Sequence, residues 1–211
     1  MVEVSVRARP ERIENFVFAS VGGQGGILAA RILATCFLEL GRQVKSAEIH
    51  GMAQRGGSVE IHVRQGNRVY SPLIPNSQAD VLVGLEQLET LRSLHWLRPG
   101  GLVVCSTERI LPTTVALEGQ AYPETVREKL MEKCGALVWI DAVGIAKEAG
   151  NLRAASVALL GALSAFTEIQ EKVWEEVISA SVPQRFTEVN LAAFRLARSQ
   201  TLEKLGDDLH G

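Results

Sequence analysis

Apolar positions in this chain recur at two periods, and the switching between them lays out the fold. "FVFASV" (16–21) is a short, nearly continuous apolar run, the pattern of a strand buried on both faces. It stops at "GGQGG" (22–26), after which "ILAARILATCFLEL" is apolar at helical spacing up to Gly41, a glycine placed for a left-handed helix stop. "RQVKSAEI" (42–49) reads as a second strand and completes a βαβ unit of the length expected for adjacent parallel strands. In "SVEIHVR" (58–64), Val59, Ile61 and Val63 alternate with Glu60, His62 and Arg64. With "RVYSPL" (68–73) following across "QGN", that alternation predicts a β-hairpin and therefore a mixed sheet.

"ADVLVGL" (79–85) and "LVVCST" (102–107) read as further buried strands, separated by a helix over "EQLETLRSLHWL" (86–97) that "RPGG" ends. "ERILPTTVALEGQAYP" (108–123) has no sustained period and predicts a surface excursion, after which "ETVREKLMEK" and "ALVWID" (136–141) resume the helix and strand alternation. The last third is helical. "AASVALLGALSAF" (154–166) is apolar nearly all round, "EEVISASV" ends at Pro183, and "FTEVNLAAFRLARSQ" has a mixed face. The expected fold is α/β: a three-layer α/β/α domain over 16–200 with a mixed, mostly parallel sheet and C-terminal helices, an N-terminal extension over 1–15 and a tail over 201–211.

A helix apolar on every side must be covered by its own chain or by another. Ala154, Ala155, Ala158, Gly161 and Ala162 allow close approach, so 154–166 is expected to be a surface for self-association or for a partner.

Composition narrows the function classes. With 211 residues, 46% hydrophobic, the chain can bury a full core. Its formal charge of -2, without long blocks of one sign, gives no footprint for nucleic acid or an anionic membrane. "MVEVSVRARPERIENF" lacks the apolar middle of a secretory signal, and no segment reaches the roughly 20 apolar residues of a membrane span, so a cytoplasmic protein is expected. Cys36, Cys105 and Cys134 lie far apart with no CxxC spacing, so they read as reduced, buried thiols rather than as the ligand set of an iron–sulfur cluster.

Candidate chemistry gathers in two places. The glycine loop serves as a plain turn, or as an anion site through the amides that open the following helix. A dinucleotide fingerprint is matched at Gly23 and Gly25 but has Leu28 at its third glycine position, with Glu48 placed for a ribose; no Lys-Ser/Thr pair closes a Walker loop. The second place is "EIHGMAQRGGSVEIHVR" (48–64). Arg55, flanked by Gly56 and Gly57, can offer a guanidinium fork to a phosphate or carboxylate, or simply pair with Glu48 or Glu60. His50 and His62 with Glu48 or Glu60 do not make a convincing metal site, since His62 is expected on a solvated strand face and His95 on an exposed helix position. The candidate binding residues are therefore Gly22, Gly23, Gln24, Gly25, Glu48, His50, Gln54, Arg55, Gly56 and Gly57. Both groups follow strands of one βαβ unit, so they are expected to meet at the carboxyl edge of the sheet, with no metal.

"VGGQGG", "EIHGMAQRGGSVEIHVR", "VYSPLIP", "ADVLVGLE", "LRPGG", "IDAVGIAKEAGN", "NLRAASVALLGALSAF" and "VPQRFTEVNLAAF", in that order over about 16–196, closely resemble the gamma-type domain family of 2-oxoacid:ferredoxin oxidoreductases. The "EIHGMAQRGG" form resembles the small subunit of the arylpyruvate (indolepyruvate) branch. Two features depart from that pattern: the long N-terminal extension, and Gly26 where a branched apolar residue is common, which is expected to loosen the start of the helix. The resemblance implies oxidative decarboxylation of a 2-oxoacid with coenzyme A and oxidised ferredoxin to an acyl-CoA, carbon dioxide and reduced ferredoxin. It also implies a large partner subunit that carries thiamine diphosphate and the iron–sulfur clusters, with this chain inactive alone. The residues by themselves leave a stand-alone dinucleotide-dependent dehydrogenase and a non-catalytic ligand-binding module open.

Overall fold

The computed structural model describes residues 13–50, 56–111 and 121–207. Six strands form one sheet: β1 (Glu14–Val21), β2 (Gln43–His50), β3 (Ser58–Gly66), β4 (Ala79–Gly84), β5 (Leu97–Ser106) and β6 (Ala136–Ile140). They lie in the order β2-β3-β1-β4-β5-β6. β1, β4, β5 and β6 pair in parallel, and only β3 runs against its neighbours. Strands β1 and β4 are buried along their whole length, as the nearly continuous apolar runs at their centres require when both faces are covered.

One face carries α1 (Gly26–Glu39), α4 (Ala142–Glu148), α5 (Ala155–Ser164), α6 (Glu171–Ser181) and α7 (Thr187–Asp207). The other carries α2 (Gln87–Arg92) and α3 (Val126–Lys133). The strands' alternation divides the core accordingly. Phe16, Phe18, Ile61, Val63, Val83 and Val104 pack under α1 and α5, while Val17, Leu82, Val103 and Cys105 pack with Leu88 and Leu130 on the opposite face. The three-layer architecture expected from the sequence is present. Among the described residues no helix is long and apolar enough to cross a membrane.

The pairing on the β2 side differs from expectation. β2 is not adjacent to β1, because β3 lies between them, antiparallel to both. The physical reason is the length of the connection. Seven residues separate His50 from Ser58, enough for a hairpin but too few for a parallel crossover. The hairpin is therefore β2–β3, and 68–73 is not a strand. Both edges of β3 are already used, and Arg64 Nη1 donates to the carbonyls of Ser71 (3.0 Å) and Leu73 (2.9 Å), directing that segment over the sheet toward buried Ile74. "RPGG" likewise falls inside β5 rather than ending a helix, the preceding helix having tightened into a 3-10 turn over Ser93–Trp96. Gly41 takes the left-handed conformation expected of it, at φ 72°. β1 opens at Glu14, and α7 continues past the boundary expected at 200.

The apolar helix is covered from within. α5 packs against α7, α1 and β5, and nine of its ten residues are buried. A Cβ at Gly161 would lie 2.2 Å from the carbonyl oxygen of Phe194, so Gly161 lets the α7 backbone sit directly on α5. The expectation that this helix is a surface for self-association or a partner is overturned: α7 of the same chain occupies it.

His62 also departs from expectation. It is fully buried, because Trp96 of the 3-10 turn and the segment around Ile74 lie against its ring. Its ring meets Trp96 edge-on at 4.7 Å between centroids, and its Nδ1 accepts the Ile74 N–H at 3.1 Å. The accepting Nδ1 cannot also hold a proton, so the neutral ring carries its proton on Nε2. Desolvation holds this imidazole below its ordinary value, with the Glu60 charge opposing. His95 is exposed, as expected.

Two outcomes follow. Gly161→Ala gains about 1 kcal/mol of helix propensity but forces apart two backbones, at about 1–3 kcal/mol. Its thermal midpoint should therefore fall, and a rise would show that α5 and α7 separate freely. His62 folds with a depressed pKa, so its contribution is complete above the unfolded value of 6.5 and is lost as pH falls through that value, where the unfolded chain binds the proton first. Urea titrations across that range should show the loss, and His62→Asn, whose side-chain oxygen can still accept the Ile74 N–H, should flatten it.

Candidate functional site

The parallel strands β1, β4, β5 and β6, together with β2, end at one edge of the sheet, and β3 begins there. At that edge the chain leaving β1 makes the turn Gly22–Gly25 and enters α1. Gly23 and Gly25 have φ of 104° and 85°, conformations that suit glycine, so the "GGQG" composition is the backbone's requirement for this turn. The helix opens with no side-chain cap and no acid in its first turn. Its first amides therefore face outward with the positive end of the helix dipole behind them, an arrangement suited to an anion.

The loop is wedged in place. A Cβ at Gly26 would lie 2.5 Å from Ser20 Oγ and 3.3 Å from Ile61 Cδ1, and one at Gly25 would lie 2.8 Å from Ser156 Oγ. Gly26 thus seats α1 closely on β1 and β3, where the sequence suggests a loosened helix start. Gln24 fastens the same loop. Its Oε1 accepts the Val21 N–H at 2.7 Å, and its Nε2 donates to the Leu85 carbonyl at 3.1 Å and to Glu108 Oε2 at 2.9 Å. Desolvation pushes the Glu108 carboxyl above its usual range; the hydrogen bond from Gln24 opposes this and the nearby Glu86 charge adds to it.

The two candidate segments meet. Gly22 N–H donates to the Gly57 carbonyl at 2.8 Å, and Gly56 N–H to the Gly22 carbonyl at 3.4 Å. Beside this junction lies a cleft of about 600 Å³ between the start of α1 and the end of β2. Gly22, Gly23, Gly25, Glu48 and His50 line it, together with Ile27 and Arg31. Gln24 is not in this cleft; it faces Glu108 and Ser156 around a smaller space behind the loop. Gln54 and Arg55 lie outside the described residues.

Arg31 is the group that sequence reading missed. It sits one helical turn beyond Ile27, on the exposed side of α1, so its place over the cleft depends on where β2 lies. Nothing in its local sequence marks it. The inserted β3 also matters for the dinucleotide alternative, because it sets Glu48 one strand spacing, roughly 4.8 Å, farther from the glycine loop than adjacent parallel strands would. Among the described residues no cluster of three or more His, Cys, Asp or Glu side chains is placed to hold a metal.

The three thiols do not converge. Cys36 lies on the buried face of α1 and Cys105 on the opposite face of the sheet, and burial pushes each up to about 12. Cys134 is half-buried beside the second core. Neutral thiols on opposite sides of a sheet do not suit an iron–sulfur cluster, which takes several thiolates at one point.

Comparison with known proteins agrees with this architecture. The family described as pyruvate ferredoxin/flavodoxin oxidoreductase matches residues 15–200. Indolepyruvate oxidoreductase subunit IorB of Thermococcus kodakarensis is 40% identical over 199 residues, covering 91% of this chain and 98% of that one. The common gamma subunit of the pyruvate/ketoisovalerate oxidoreductases of the same organism is 30% identical over 185 residues, covering 84% and 93%. The crystal structure of the keto/oxoacid ferredoxin oxidoreductase gamma subunit from Geobacter sulfurreducens shares the fold, with a TM-score of 0.67 at 24% identity over 90% of this chain and 99% of that one. A glycine loop wedged between β1, β3 and α5, a β2–β3 hairpin at the sheet edge and relatives matched almost end to end give one conclusion: this chain belongs to the pyruvate ferredoxin/flavodoxin oxidoreductase family, as a small subunit of the 2-oxoacid:ferredoxin oxidoreductase type.

Proposed function

We propose that the chain is the small subunit of an indolepyruvate:ferredoxin oxidoreductase, and that its glycine-loop cleft receives a phosphate-bearing part of coenzyme A. The observation that carries the substrate assignment is the margin between relatives of one organism: 40% identity to the indolepyruvate subunit against 30% to the pyruvate/ketoisovalerate subunit. Support for the anion comes from the uncapped start of α1, the positive-φ glycines and Arg31 over one cleft. In this reading Arg31 and Arg55 face phosphate oxygens, and Glu48 and His50 order the far wall.

The electron and carbanion chemistry belongs to the partner. Thiamine diphosphate supplies carbanion stabilisation when bound, and the separated thiols of this chain do not suit an iron–sulfur cluster. The large subunit holds both groups, ferredoxin takes the electrons from the complex, and the small chain alone has no turnover.

The test is co-expression with the large subunit and assay of indolepyruvate, phenylpyruvate, pyruvate and 2-oxoglutarate with coenzyme A and a dye acceptor. The aryl acids should be preferred; a wide preference for pyruvate would overturn the branch assignment and leave the family standing. In the same complex, Arg55→Ala should raise the Michaelis constant for coenzyme A roughly ten- to hundredfold, the equivalent of about 1.5–3 kcal/mol for a charge-assisted contact. Decarboxylation of the oxoacid should stay largely intact. An unchanged constant in an assembled complex would reduce Arg55 to a structural ion pair.

A further inference from the structure

A subunit needs a surface for its partner, and the apolar helix that the sequence offers for it is internal. The exposed side of the sheet supplies another. β2 is an edge strand of eight residues whose outer side no described element pairs. Open edges of this length template the addition of a further strand unless they are blunted. At the end of β2 away from the glycine-loop cleft lies a groove of about 500 Å³ lined by Leu38, Arg42, Lys45, Arg68 and Tyr70 together with Gln43, Val44 and Val69. Leu38 is 54% exposed and Tyr70 74%, although an apolar side chain at a groove gains by being covered. The Arg68 guanidinium sits 5.0 Å from the centre of the Tyr70 ring. Lys45 and Arg68 thus place two cations in a groove whose lining contains no acid, in a chain whose formal charge is -2. Neither Lys45 nor Arg68 forms an ion pair with a described residue.

We propose that this groove and the open edge of β2 are where the large subunit attaches, through an extended acidic segment laid along β2. Main-chain hydrogen bonds to the edge give such a segment its register, its carboxylates meet Lys45 and Arg68, and its apolar positions cover Leu38 and Tyr70. A second copy of this chain fits less well. An antiparallel β2 brings a single acid, Glu48, toward the cations Lys45 and Arg68. The inference rests on the chain's being one subunit of a complex.

The test uses the full chain and the purified large subunit. Binding is measured by sedimentation at low and at high salt for the wild type and for the double variant Lys45→Glu/Arg68→Glu. Both residues are exposed, so the variant's melting curve should match that of the wild type. Hydrogen exchange of the 43–50 amides is followed in the free and the assembled chain. Attachment at β2 predicts protection of those amides on assembly, salt-sensitive binding, and roughly tenfold or greater weakening by the double variant. Unchanged exchange over 43–50 with full assembly would overturn the proposal while leaving the subunit reading in place. Protection that appears in the isolated chain as its concentration rises would overturn it in favour of self-pairing. No complex between the wild-type chain and the large subunit would overturn the subunit reading, and this inference with it.

Discussion

Gly25 and Gly26 stand where the chain turns from β1 into α1, and at neither position is there space for a Cβ. Ser20 and Ile61 close off one and Ser156 the other. This close approach fixes where α1 lies on the sheet, and α1 in turn forms one wall of the cleft. Larger residues here would lift the helix from β1 and β3, separating its outward-facing first amides from Glu48 and His50. Gln24 adds direction to the constraint, since its amide ties the loop to the ends of β4 and β5 through Leu85 and Glu108. The loop is held from three sides, so the anion site proposed for it is formed before any ligand arrives.

The second determinant is the insertion of β3 between β1 and β2. It widens the gap between the glycine loop and the end of β2 into a cleft, and it leaves β2 as the sheet's open edge. One topological fact thus produces both proposed surfaces, the cleft at the carboxyl end of β2 and the cationic groove at its other end. The close contact of α5 with α7 removes the alternative surface, because an apolar helix already buried by its own chain has nothing left to offer a partner.

Much of this was legible in the sequence, and the remainder fails for identifiable reasons. Runs such as "FVFASV" and "ADVLVGL" are apolar on both faces, broken chiefly by Ser20 and Asp80, a pattern that strands covered on both faces require, so the central strands read correctly. Gly41, Gly23 and Gly25 were legible because a positive φ leaves few other choices. Strand neighbours were not legible in the same way. "SVEIHVR" alternates apolar and polar residues, yet its polar face is covered too, wholly at His62 and partly at Glu60 and Arg64, because His62 finds a ring and an N–H to satisfy it and Glu60 accepts from Ser93. Local alternation cannot announce a polar residue that long-range partners satisfy. For the site, the glycines, Glu48 and His50 were found by their crowding, whereas Gln24 faces the other way and Arg31 enters only through the packing of α1 beside β2.

The central claim is that the wedged glycine loop is an anion site serving the assembled enzyme. Hydrogen exchange of the complex with its large subunit, with and without saturating coenzyme A, tests it at the backbone. The account predicts slowed exchange for the amides of 22–31 when coenzyme A is present, with those of α3 on the opposite face of the sheet unchanged. Equal exchange over 22–31 in a complex whose turnover depends on coenzyme A would contradict it.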